Sequence, residues 1–384
     1  MAEVVKRDKK LGIIIHDKAS LFSNGIIQNA YFLYRCCESM GYTCQFLCPE
    51  PTPSPFEHKA LSVKQITTDG SVFEASEYHT IVLITRDISK EVYELLKSHN
   101  VGVVTLVCGN NYMFDQEDFV KGIKGNVNKY LGASRNIDEQ WLIPSFRYAL
   151  DYMEIIRKKP AYLVPHLWSP EIIQECTPRL LKTPESALSY DITKRKNKKL
   201  NIVILEPNLN FCKTGWMPLI AAEKLYTMHP DLVEFVYMFN FPSHEHAYKM
   251  TEVLSLGSKV RKFERKSVPE ILHFFNNDSD CVPIFVSHQV LTSLNFLYYE
   301  LLYYGFPLVH NSPDLEGCGY FFPENSITKC VEQILYAQKH HDKGVDTYRE
   351  RAKAYLKRVD PLDPAVQKPF DQMITASIVK NTRI

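Results

Sequence analysis

Residues 296–321 read FLYYELLYYGFPLVHNSPDLEGCGYF. The stretch opens on a helical run that is apolar or aromatic but for one carboxylate, Glu300. A helix so apolar is largely buried. Gly305 and Pro307 interrupt it, and FPLVH (306–310) follows, a short apolar run of strand length. Such runs suit strands covered on both faces of a parallel sheet. The strand closes on polar residues, Asn311 and Ser312. A carboxylate inside an apolar helix is costly unless donors satisfy it. A protein donor and the hydroxyls of a bound sugar answer that need equally well.

The same alternation extends outward on both sides. In the N-terminal half, LGIIIH (11–16), TCQFLC (43–48), HTIVLIT (79–85) and VGVVTLVC (101–108) read as strands. IIQNAYFLYRCCESM, ended by Gly41, and KEVYELLKSH read as helices between them. After Lys199 a second series begins with strands LNIVIL (200–205), LVEFVYMF (232–239), KVRKF and CVPIFVS (281–287). Ser267-Val-Pro-Glu270 is a capping box that opens the helix EILHFF. Strands alternating with helices predict right-handed βαβ units and parallel sheets. Two such series predict two α/β domains. The expected division is 1–165, 166–360 with the linker-like CTPRLLKTPES and TKRKNKK segments, and a C-terminal helix over 361–384. From Ser326 on the chain reads as helices broken at DPLDP.

Composition bounds the function. The chain has 384 residues, 45% of them apolar and 23% charged, the profile of a globular protein large enough for two domains. A formal net charge of +1 gives no global pull toward nucleic acid. The ten cysteines lack metal-ligand spacing, and most lie in or beside apolar runs, as buried thiols of a reducing compartment do. The N-terminal apolar run is too short for a signal peptide, and no window reaches the length of a membrane span. A cytoplasmic protein is expected, with peripheral membrane contact left open by the basic run Lys194–Lys199.

In parallel α/β sheets ligands bind beyond the carboxyl ends of the strands. In the first series those ends carry His16 and Asp17, the loop Ser23-Asn24-Gly25, and Gly109-Asn110-Asn111. In the second they carry Glu206-Pro-Asn208 with Lys213, then Ser287, His288 and Gln289 ahead of Asn295, then Asn311 and Ser312. No G-x-G-x-x-G follows either first strand, and there is no P-loop and no G-x-S-x-G elbow. Asp278-Ser279-Asp280 is the one Asp-x-Asp, and it falls at a helix–strand turn on the wrong end of the sheet. No metal site is expected.

Glu300 through Val309, a helix Glu before Gly-x-Pro and a short strand, resembles the donor-site signature of GT-B glycosyltransferases. VPHLWSP, SHQVLTSLNFLYYELLYYGFPLVHNS and GYFFPEN are also similar to a glycosyltransferase-like family of bacteria and large viruses. The resemblance is concentrated in residues 287–325. It implies two Rossmann-like domains with parallel sheets facing a cleft and C-terminal helices crossing back. It implies a nucleotide-sugar donor, a glycan or glycoconjugate acceptor, and no metal or other cofactor. Glu300 would hold the ribose hydroxyls. Lys213, Asn208, Ser287, His288, Gln289, Asn295, Asn311 and Ser312 would surround the donor. In an inverting transferase a group of the first domain takes the acceptor proton, and Asp17, His16 and Asp115 are the candidates, with Glu117 and Asp118 beside the last. Ser23, Asn24 and Gly25 would approach donor phosphate or acceptor. Two positions depart from the family. Thr292 stands where many retaining members carry a second Glu, and Asn208 where an Arg precedes the Lys; Arg261 or Arg265 are the replacements at hand. A nucleotide-sugar epimerase and a non-catalytic nucleotide-sugar-binding protein are the alternatives.

Overall fold

The computed structural model describes residues 10–15, 25–48, 63–65, 74–84, 87–121, 135–208, 210–277 and 279–382. His16, Asp17, Ser23, Asn24 and Asp278 lie outside them. The chain divides into two compact units, one of residues 1–169 with 358–384 and one of 170–357.

The first unit is built on seven strands: β1 (Lys10–Ile14), β2 (Thr43–Cys48), β3 (Val63–Gln65), β4 (Tyr78–Leu83), β5 (Gly102–Val107), β6 (Glu139–Leu142) and β7 (Ala161–Leu163). Their order is β3-β2-β1-β4-β5-β6-β7, and every pairing is parallel. Helices α1 (Gly25–Ser39), α2 (Lys90–Ser98), α3 (Asn111–Lys121) and α4 (Leu150–Arg157) make or follow the crossovers. β1 is an interior strand, flanked by β2 and β4, and its side chains are apolar in both directions; Leu11, Ile13 and Ile14 are fully buried. Gly41 ends α1 at φ +88, with Tyr42 N–H returning to the Cys37 carbonyl at 3.1 Å.

The second unit is built on six strands: β8 (Leu200–Ile204), β9 (Val233–Met238), β10 (Val260–Lys262), β11 (Val282–Ser287), β12 (Leu308–His310) and β13 (Tyr320–Phe321). They are ordered β10-β9-β8-β11-β12-β13 and again wholly parallel. Its helices are α5 (Glu171–Leu181), α6 (Trp216–Met228), α7 (Glu245–Glu252), α8 (Val268–Asn277), α9 (Phe296–Tyr303) and α10 (Ile327–Leu356). The predicted capping box opens α8, with Ser267 N–H on the Glu270 carboxylate at 2.9 Å and Glu270 N–H on Ser267 Oγ at 3.4 Å. One core joins α6 and α10 to the sheet, with Leu219, Ala222, Ile334 and Ala337 against Ile202, Ile284 and Val309. Tyr190, Phe275, Phe285 and Phe306 form a chain of edge-to-face rings.

The chain breaks at Asp360–Pro364, and α11 (Pro364–Thr382) packs within the first unit. There Asp371 accepts the Tyr42 hydroxyl at 2.8 Å and Phe370 meets Trp141. The expected α/β class with two parallel sheets and a returning C-terminal helix is what the molecule has.

Candidate functional site

In the second unit the strand order reverses direction between β8 and β11, the switch point at which α/β sheets open a crevice beyond their carboxyl ends. The chain leaving β8 folds over this point. Asn208 takes the left-handed conformation, φ +53, which Asn tolerates through its short polar side chain. Its N–H reaches the Lys213 carbonyl at 3.1 Å, and its Oδ1 accepts the Gly215 N–H at 2.7 Å. Its amide also donates to the Glu206 and Asn240 carbonyls. Asn208 is thus occupied on all sides by backbone and shapes the loop. Gly215 allows the close approach, since a Cβ there would lie 3.0 Å from Met238 Cε.

That loop lies along the exit of β11. Lys213 forms an isolated antiparallel bridge with Gln289, and Val290 N–H donates to the Cys212 carbonyl at 2.9 Å. Beneath the bridge is Glu206, 1% exposed. Its carboxylate accepts the Ser287 hydroxyl in a short contact, the Gln289 amide at 3.4 Å and the His288 N–H. Burial pushes the Glu206 carboxyl up to about 7, against these donors and the nearby Lys213 charge. Burial also pulls the Lys213 ammonium down, while Glu206 and Cys212 hold it up. Among the described residues that ammonium has no hydrogen bond or ion pair to a side chain.

The remaining residues expected around the donor form the floor. Gln289 and Asn311 exchange two bonds, N–H to Oδ1 at 2.9 Å and Nδ2–H to the Gln289 carbonyl at 2.8 Å. His288 bonds Asn325 Oδ1 through Nε2 at 2.7 Å and stacks on Phe322. Ser312 donates its hydroxyl to the Ser293 carbonyl in a short contact and its N–H to His310 Nδ1 at 3.1 Å. Ser287, His288, Gln289 and Ser312 are all buried, so they support the surface of the site. Asn295 caps α9 by accepting the Leu297 N–H at 3.3 Å.

Glu300 projects from the middle of α9. Tyr298, Tyr299, Leu301 and Leu302 around it are buried, while Glu300 itself is half-buried. Its carboxyl has no hydrogen bond or ion pair among the described residues, and burial alone pushes it up to about 7. Its electrostatic neighbours are the Cys176 thiol of α5 and the Tyr304 hydroxyl, both of which its charge raises. Among the described residues, the one charge of this helix has no hydrogen-bonding or ion-pair partner.

The two proposed replacements for an Arg at position 208 divide. Arg261 lies over the Phe235 ring at 4.1 Å and donates to the Ser258 carbonyl, in the turn that precedes β10. It therefore faces the wrong end of the sheet. Arg265 is exposed just beyond the carboxyl end of β10. Thr292 is buried, 7% exposed.

In the first unit, Asn110 follows β5 and caps α3, its Oδ1 accepting the Met113 N–H at 3.1 Å and the Tyr148 hydroxyl at 2.9 Å. Asp115 accepts the Tyr152 hydroxyl at 2.5 Å, and burial raises its proton affinity. Tyr112 meets Tyr148 and Tyr152 edge to face. Gly25 is the first residue of α1, its carbonyl accepting the Asn29 amide at 2.8 Å. The sequence places Glu206 at a strand end, directly after an apolar run, but gives it no role, and Asn240 is the site residue it does not single out. Asn240 sits at φ +53 and donates to the Leu205 carbonyl.

The family model for "Protein of unknown function (DUF2827)" matches residues 11–374, and the chain belongs to that family. A search of curated proteins finds no match. Solved structures do match. The sucrose-phosphate synthase of Thermosynechococcus elongatus aligns at TM-score 0.60 and 10% identity over 97% of this chain and 100% of that one. An alpha-glucosyltransferase in complex with UDP and a 13-mer DNA aligns at 0.59 and 11% over 96% and 99%. Anabaena HepE in complex with UDP and glucose aligns at 0.56 and 11% over 96% and 100%. At these identities the likeness shows the fold, which is that of the GT-B glycosyltransferases.

Proposed function

We propose that this DUF2827 chain is a glycosyltransferase that moves a sugar from a nucleoside diphosphate sugar to a hydroxyl of a glycan or glycoconjugate, without a divalent metal. The observation that carries the reading is a pair of unsatisfied opposite charges in the second unit. Lys213 and Glu300 both belong to segments at the carboxyl end of its sheet, and among the described residues neither side chain makes a hydrogen bond or ion pair, Lys213 having only the charge of Glu206 nearby. A protein rarely buries charge without a partner. A ligand that brings an anion and vicinal hydroxyls together answers both, and a nucleoside diphosphate is such a ligand. Lys213 would act as a point charge on the diphosphate, and Glu300 would accept from the ribose hydroxyls. The N-terminus of α9, capped by Asn295, adds the positive end of its dipole.

In the reaction the bond between the anomeric carbon and the diphosphate oxygen breaks as the acceptor oxygen bonds to that carbon. The leaving diphosphate gains charge, and Lys213 with the helix end stabilises it more than the ground state. The acceptor proton passes to a group of the first unit, with His16, Asp17 and Asp115 as candidates. Positioning and charge stabilisation do most of the work. These groups take the place of a cation, so transfer or donor hydrolysis persists in EDTA. Activity lost in chelator and restored by Mn²⁺ or Mg²⁺ contradicts this part of the reading.

Thr292 and the backbone-bound Asn208 favour one other reading, a protein that binds nucleotide-sugar and does not turn it over. Release of nucleoside diphosphate from a panel of nucleotide-sugars, with and without glycan acceptors, separates the two. Tight binding with no release on any acceptor selects the binding protein. Turnover of the donor to another sugar with no acceptor present selects an epimerase.

A further inference from the structure

Glu206 is a fully buried carboxyl beside the cation proposed to meet the diphosphate, and the reaction described above does not use it. Its surroundings are unusual in accepting two protonation states. Ser287 Oγ contacts Glu206 Oε1 and also lies 2.9 Å from the Tyr298 hydroxyl, where either oxygen serves as donor. With Glu206 ionised, Tyr298 donates to Ser287 and Ser287 donates to Glu206. With Glu206 protonated, the chain Glu206–Ser287–Tyr298 reads in the opposite direction with the same contacts. The second carboxylate oxygen meets Gln289 Nε2, while Gln289 Oε1 is buried and has no partner. A rotation of that amide by half a turn presents an acceptor in place of a donor.

The titratable neighbours are few. Lys213 and Cys212 lie on the overlying loop, His288 on the β11 exit, and Tyr298 on α9 with His310 against its ring. Burial keeps His288 and His310 toward the neutral form and raises Tyr298, so Lys213 is the charge that faces Glu206. A diphosphate on Lys213 cancels that attraction and adds negative charge close to Glu206.

We infer that the donor's diphosphate displaces Glu206 as the electrostatic partner of Lys213, and that Glu206 takes up one proton from solvent as the donor binds. Glu206 is then a positioning residue. Before binding it holds the ammonium in place, and on binding it neutralises itself so that no buried anion opposes the diphosphate. The inference rests on the donor-site reading. The free carboxyl already sits near neutrality, so the exchange falls in the physiological range.

The test is calorimetric titration with UDP-glucose, whose phosphodiesters do not titrate near neutrality. Titrations at pH 7.5 in two buffers of different ionisation enthalpy give the protons taken up. The wild type takes up a substantial fraction of one proton, and its Kd rises from pH 6.5 to 8.5, by up to about tenfold per pH unit. Glu206→Gln takes up none and binds with a flat pH profile; rotation of the Gln289 amide lets it fold, which a melting curve checks. Lys213→Arg, whose guanidinium does not titrate in this range, keeps the uptake, and so excludes Lys213 as the proton's destination. Zero uptake in the wild type, or equal uptake in Glu206→Gln, overturns the inference while leaving the donor site standing. A wild type that binds neither UDP-glucose nor GDP-mannose at pH 6.5 overturns the donor-site reading and this inference with it.

Discussion

At the scale of single residues, the second unit holds two carboxyls whose protons bind more tightly in the folded chain than in the unfolded one. Glu206 and Glu300 are each raised from 4.5 to about 7 by burial. A raised carboxyl contributes stability that is complete below the unfolded value and is lost as pH rises through the folded one. Ligand-free protein therefore loses stability between pH 4.5 and about 7 on their account, and the loss is complete above that. At about 1.4 kcal/mol per pKa unit, buried Glu206 alone accounts for on the order of 3 kcal/mol. His310 and His341, lowered to about 4 by burial, act in the opposite sense as pH falls below 6.5. Glu206→Gln and Glu300→Gln should each show a smaller fall in melting temperature from pH 5 to pH 7.5 than wild type. An unchanged pH slope in both variants contradicts the burial of these carboxyls as protonated groups.

At the scale of elements, the turn from α9 to β12 fixes where Glu300 and the polar strand end stand relative to each other. Gly305 makes that turn at φ +74, with Phe306 N–H on the Leu301 carbonyl at 2.9 Å. A Cβ on Gly305 would lie 2.7 Å from Arg349 Nε. Arg349 is tied to the Tyr190 carbonyl at 2.7 Å and cannot simply swing away. Gly305→Ala therefore meets both a left-handed backbone penalty of roughly 1–2 kcal/mol and a clash. Denaturant melts should show a loss of about 2 kcal/mol or more. A loss under about 0.5 kcal/mol would show that the turn relaxes freely.

The same scale shows why parts of the molecule were legible in the sequence. Strands such as β1, β8 and β11 are buried on both faces, and continuous apolar runs announce them. β6 is equally buried but begins Glu139-Gln140, whose side chains find Trp141, Met153 and Lys159 as partners. The Gln140 partners lie 13 and 19 residues away, so no periodicity marks the strand. β3, β7 and β13 are too short to carry a pattern. The site divides in the same way. Rules about strand ends find Lys213, Ser287 and Gln289. The role of Glu206 depends on Ser287, 81 residues away, and appears only once the strands are in register.

At the scale of the whole molecule, two wholly parallel sheets of β-strands in matching order, 3-2-1-4-5 from one edge of each, place ligand-binding ends by topology alone. Among the described residues no helix is long and apolar enough to cross a membrane. Fold does not establish reaction, and the account rests on whether the unpartnered charge of α9 meets a nucleotide. Calorimetric titration of UDP and GDP into wild type and Glu300→Gln, beside melting curves without ligand, tests this most directly. Gln keeps the size and loses the charge, and hydrogen bonds to a charged group are worth about 1.5–3 kcal/mol. The account predicts a folded variant whose nucleotide affinity is lower by roughly tenfold or more. A folded variant with unchanged affinity, or a wild type that binds neither nucleotide, contradicts it.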